Sequence, residues 1–130
     1  MDKKWDELYA MALTVKNERR ISDLVTAGEV AAAVEAESGR IYTGVCVDTC
    51  AGLGLCAERN AIFNMITNGE SKIKRVLAVM PDGKLGAPCG ACRELIAELM
   101  PGDFGSVEIL LNRETGRVVT LGDLLPEWWA

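Results

Sequence analysis

The chain has 130 residues, 49% hydrophobic and 25% charged. That is the balance of one globular domain over residues 1–130 rather than of a disordered segment. A net charge of −5 argues against DNA or RNA as a partner, because Lys and Arg contacts to phosphate carry most of that affinity; a small molecule, a cationic one included, fits better. No apolar run approaches the ~20 residues that span a bilayer, and the charged opening MDKKWDELYAMA lacks the apolar core of a secretory leader, so the expected location is the cytoplasm with no membrane partner.

In chain order, Trp5, Leu8, Tyr9, Ala12 and Val15 recur at helical spacing and predict an amphipathic helix over 4–17. Glutamates alternating with Val and Ala predict a strand from Glu29 to Glu37. The turn signal ESGR then leads into a second strand, Ile41 to Val47, closing a hairpin. Residues 48–55 are a Gly-rich loop. A helix over 56–68 has Ala57, Ala61, Ile62, Met65 and Ile66 for its buried side and stops at Asn68-Gly69. RVLAVM reads as a strand covered on both faces, PDGKLGAP as a loop, and 89–100 as a helix ended by Pro101. SVEILLN is a strand, RETGR a turn, and VVT extends the sheet. Thr120 caps a last short helix that ends at Leu124-Leu125-Pro126. Helices that join strands imply parallel pairs, so the expected fold is α/β, a mixed sheet with helices on its faces.

The chemistry lies in the cysteines. There are five, at 46, 50, 56, 89 and 92, and no histidine. An odd count without a secretory leader argues against a disulfide framework. Without His there is no imidazole base or metal ligand, so any metal must be held by Cys, Asp or Glu. Cys56 opens one predicted helix. Cys89 and Cys92 form a C-x-x-C that opens another. Free N–H groups and the positive end of a helix dipole favour thiolate, the form that binds Zn²⁺.

Three thiolates leave one tetrahedral corner for water, the pattern of a catalytic rather than a structural zinc. Glu58, two residues from Cys56, is the candidate proton shuttle. Zn²⁺ with three thiolates carries net negative charge, and a cation near the sulfurs would offset it. Arg59 and Arg93, which directly follow Glu58 and Cys92, are the expected donors to the thiolates. A three-cysteine zinc, a non-ligand Glu and P-C-x-x-C together are the equipment for deaminating a nucleobase.

On CAERNA (56–61), PCGACRE (88–94) and LLP followed by aromatics at the C-terminus, the chain resembles the cytidine deaminase family. The likeness is to its small three-cysteine branch, which includes blasticidin S deaminases; it is weaker through VAAAVEAESGRIYTGVCVD and runs from about residue 20 to the end. The resemblance implies a three-layer α/β/α fold around a five-stranded mixed sheet. It also implies a homotetramer whose sites include residues of neighbouring subunits. The implied reaction is hydrolytic: Glu58 takes a proton from water and passes it to N3 as oxygen adds to C4 of a cytosine-like ring, then carries the second proton from the added hydroxyl to the leaving amine, releasing ammonia. Backbone groups near Ala57 and Pro88 hold the ring by the same analogy, and Trp128 and Trp129 form an aromatic lid or pack on their own domain.

The chain departs from the nucleoside-type pattern G-x-N-V-E-N. Cys46 stands where Asn holds a ribose hydroxyl, and Asp48 stands where Glu does. Gly28 stands where a Phe packs on the pyrimidine. Cytidine, deoxycytidine, blasticidin S and other aminated heterocycles therefore stay open as substrates. Two alternatives also stay open: a deaminase acting on bases in RNA or DNA, and a closed structural zinc with Cys46 or Cys50 as fourth ligand.

Overall fold

In the computed structural model, which describes residues 1–130, the chain folds in the order α1 (Lys4–Val15), β1 (Arg19–Arg20), β2 (Val25–Ala36), β3 (Ile41–Thr49), α2 (Ala57–Thr67), β4 (Ile73–Val79), α3 (Gly90–Leu99), a 3₁₀ turn at Phe104–Ser106, β5 (Glu108–Asn112), β6 (Arg117–Thr120) and α4 (Leu121–Leu124). No helix is long and apolar enough to cross a membrane. β2 is the axis of the sheet. One of its edges pairs antiparallel with β3 along its length. The other pairs with β1 at Thr26 and Ala27 and with β4 from Ala31 onward. β4 pairs parallel with β5, and β5 antiparallel with β6. The sheet has six strands yet is five wide, because two-residue β1 shares an edge of β2 with β4.

The expected parallel pairing holds for only one of the two helical crossovers. α3 joins the adjacent parallel strands β4 and β5. α2 joins β3 and β4, which run the same way but have β2 between them.

Side chains alternating along β2 supply two cores. Ala31 and Ala33 face α1, where they meet Trp5, Leu8, Ala12, Leu77, Val79 and Leu110. Ala32, Val34 and Ala36 face the other way, into the cluster of Ala57, Ala61, Ile62, Met65 and Ile96 from α2 and α3. A central strand covered on both faces by close-packed helices has room mainly for small residues, which explains the alanine run. Glu35, a charged residue on this central strand, is 3% exposed. It lies on the α1 side, where Arg75 donates to it and Lys4 Nζ stands at 3.5 Å. Arg75 also pairs with Asp2 at 2.8 Å, tying the N-terminus to the sheet.

Two glycines set the geometry near the site. A Cβ at Gly44 on β3 would lie 2.3 Å from the Ala61 backbone nitrogen, so α2 rests directly on β3. Asn60 and Asn64 of α2 reach past this contact and donate to the carbonyls of Val45 (2.9 Å) and Thr43 (3.2 Å). Gly28 has φ +88°, and its Cβ would meet the Asn17 carbonyl oxygen at 2.0 Å. It lies where the β2–β3 register slips between Ala27 and Ala31, a bulge that admits no side chain at this position.

Candidate active site

Cys56 and Cys89 are the N-cap residues of α2 and α3, in extended backbone with φ near −70°. Cys92 lies in the first turn of α3. The three sulfurs converge. Cys56 Sγ is 3.4 Å from Cys89 Sγ, Cys89 Sγ is 3.5 Å from Cys92 Sγ, and all three lie within 4.8 Å of one another. Sulfurs on three corners of a zinc tetrahedron stand about 3.8 Å apart, given Zn–S bonds of about 2.3 Å. The donor set therefore fits Zn²⁺.

The electrostatics fit as well. Burial pushes the Cys89 thiol up, but the Cys92 backbone N–H, the Cys56 and Cys92 side chains and the Ala91 N–H outweigh it, and the group sits below its ordinary value. Cys92 is pushed up, chiefly by burial and then by the Glu58 charge. The burial that raises Cys92 disfavours its thiolate; a divalent ion held by the cluster would favour it.

Glu58, in the first turn of α2, is 4% exposed. Burial raises its carboxyl above the usual range, against smaller opposing effects of its own backbone N–H and of Arg59. A buried acid that holds its proton more tightly than usual, beside a metal-binding cluster, suits proton transfer. Arg59 Nη2 donates to Cys56 Sγ at 3.4 Å, as expected from its position. The sulfur bond to Cys56 leads the effects that raise its already high value.

Arg93 corrects the sequence expectation. Its guanidinium turns from the sulfurs and donates to the carbonyls of Pro88 (2.8 Å) and Leu124 (2.9 Å), because its place in α3 aims it at the C-terminal segment. Cys46 and Cys50 are also outside the cluster. Cys46 Sγ accepts from the Val30 N–H at 3.2 Å, and exposed Cys50 lies 3.6 Å from the Leu24 carbonyl. Neither is a fourth ligand, which leaves the closed structural site without its last donor.

An antiparallel bridge joins Val47 to Leu55. Its register sets Cys46 opposite Cys56 and Asp48 opposite Gly54, so both β3 residues lie beside the segment that leads into α2. Asp48 is exposed and Cys46 half-buried. Ala57 and Pro88 are buried beside the ligands. Trp128 and Trp129 pack on their own chain. Both indole N–H groups donate to Glu94, at 3.0 and 3.1 Å, and Trp128 meets Phe104 edge-on at 5.1 Å. Sequence reasoning missed Glu94; the acid next to Arg93 gave no sign of its tryptophan partners.

Residues 3–105 match the family described as the cytidine and deoxycytidylate deaminase zinc-binding region. The chain belongs to the cytidine deaminase family. It is thus a zinc-dependent hydrolase. A cytidine deaminase of Halalkalibacterium halodurans is 32% identical over 101 residues, covering 75% of this chain and 74% of that protein. A blasticidin-S deaminase of Bacillus cereus is 30% identical over 108 residues, covering 75% and 74%. The crystal structure of cytidine deaminase from Mycobacterium tuberculosis superposes with a TM-score of 0.78 at 27% identity, covering 99% of both chains. That of the Burkholderia pseudomallei enzyme gives 0.72 at 30%, covering 94% of this chain and 96% of that one. This family's three-layer α/β/α fold is the one expected from the zinc motifs.

Proposed function

We propose that this chain hydrolyses the exocyclic amine of a cytosine-bearing nucleoside or nucleoside analogue, such as cytidine, deoxycytidine or blasticidin S, and releases ammonia. The observation that carries the proposal is buried Glu58 beside a three-sulfur cluster at two helix N-termini. Cys56, Cys89 and Cys92 would hold the zinc, and Arg59 would offset their charge. When bound, zinc makes water acidic enough to act as a nucleophile near neutral pH. Glu58 takes the proton from that water. It then protonates N3 of the ring as oxygen adds to C4, takes the remaining proton from the added hydroxyl, and delivers it to the amine as the C4–N bond breaks, leaving a C4 carbonyl and ammonia. Buried Ala57 and Pro88 hold the ring through their backbone. Cys46 and Asp48 face the part of the substrate beyond the ring, with Trp128 and Trp129 at its outer wall.

The same reading, by family resemblance, makes the protein a homotetramer, and the reduced thiol cluster suits the cytoplasm. The acidic charge speaks against a polynucleotide substrate. The deciding experiment measures ammonia release from cytidine, deoxycytidine, cytosine, blasticidin S and aminated purines. Release from a cytosine compound is expected. Release from purines alone would move the activity to another heterocycle, and release from none would sink the proposal.

A further inference from the structure

Arg93 holds two successive carbonyls at the entry to α3. Its Nε donates to the Pro88 oxygen at 2.8 Å, and its backbone N–H donates to the Cys89 oxygen at 2.9 Å. Its Nη1 crosses to the last residue of α4, donating to the Leu124 oxygen at 2.9 Å. The next side chain along α3, Glu94, accepts from the indoles of Trp128 and Trp129. Residues 124–129 therefore hang from two neighbouring side chains of the helix that carries Cys92.

This arrangement orients the tail rather than burying it. Glu127 has φ 53°, the single non-glycine residue at positive φ, a turn that costs about 1–2 kcal/mol. The turn leads into two indoles that share one carboxylate, yet Trp129 is still 76% exposed. Only the planar fork of Arg matches two carbonyls in different directions at once; Lys is a point charge.

We infer that Arg93 is a positioning residue that couples the Pro88–Cys89 turn to the C-terminal segment, so that the ring-holding backbone and the tryptophan pair form one wall of the substrate site. The inference rests on the deaminase reading, and the experiment separates the two. Arg93→Lys should keep full zinc content and kcat within about threefold, while KM rises about tenfold. Deleting 126–130 should give a similar rise, and the double variant should be no worse than either alone. A second readout needs no turnover. Trp5 is 2% exposed, so acrylamide quenching of tryptophan fluorescence reports on Trp128 and Trp129. Stripping the metal with a chelator should increase quenching in the wild type and leave Arg93→Lys unchanged. Unaltered KM in the lysine variant, additive effects, zinc loss, or quenching indifferent to metal in the wild type would each overturn the inference. If no compound is deaminated, the functional proposal fails and the quenching measurement alone decides the coupling.

Discussion

Arg59 Nη2 donates to Cys56 Sγ at 3.4 Å from three residues further along the same helix. Its Nε is buried and has no other partner, so the guanidinium is committed to the sulfur cluster. Removing it would leave the excess thiolate charge without a nearby cation. Arg59→Gln should weaken zinc binding about 10- to 100-fold, read by competition with a chromogenic chelator. Unchanged affinity would mean that the cluster needs no counter-charge.

Glu58→Ala takes away the proton carrier and spares all three sulfurs. Zinc content should stay at one per chain while ammonia release falls by about 10²–10⁴-fold or more. Turnover close to wild type would exclude Glu58 from the proton path.

Asp48 is an exposed carboxylate set opposite Gly54 by the Val47–Leu55 bridge. If it holds the substrate beyond the ring, Asp48→Ala removes a charged hydrogen-bond acceptor worth about 1.5–3 kcal/mol. KM should rise about 10- to 100-fold with kcat little changed. A KM equal to wild type on the preferred substrate would reduce Asp48 to a strand-end residue.

How much of this was legible in advance depended on range. Cys89 with Cys92, and Cys56 with Arg59, meet by i to i+3 spacing at a helix start, whereas the meeting of Cys56 with Cys89 across 33 residues was legible only through the family resemblance. Arg93 was misjudged because its direction depends on where α4 and the tail dock, a long-range fact. The bulge at Gly28 was hidden for a similar reason: only Asn17, eleven residues away, shows why no side chain fits. β1 is too short for any periodic signal. The burial of Glu35 was not legible either, because alternation alone cannot tell water from a covering helix that brings its own Lys4.

Gly44→Ala tests the contact that seats α2 on β3. The added Cβ falls 2.3 Å from a backbone nitrogen, so helix or strand must move. The expected loss is about 1–3 kcal/mol, several degrees in Tm, with weaker zinc binding because Cys56 caps that helix. Gly102→Ala, where no atom lies within 4 Å, should stay within about 0.5 kcal/mol of wild type. Equal stability of the two variants would contradict the packing.

Tyr42 OH donates to Glu70 Oε2. The Ser38 and Tyr42 hydroxyls hold Glu70 below its ordinary value, while the bond to Glu70 chiefly raises Tyr42. The depressed carboxyl contributes stability above the unfolded Glu value of about 4.3, lost as pH falls through the lower folded one. The raised phenol contributes below about 10, lost as pH rises through the higher folded value. Tyr42→Phe should flatten the Tm–pH profile at both ends. A profile parallel to wild type would show that the pair is not linked to folding.

The asparagines of α2 have a consequence for solubility. β3 is an edge strand, and an uncovered edge invites other chains to add strands to it. By donating to Thr43 and Val45, Asn64 and Asn60 occupy carbonyls that such a strand would seek. The helix that bears Glu58 thus also guards the sheet against runaway self-association. Variants of Asn60 or Asn64 would be lost first to aggregation, before any defect in turnover could be seen.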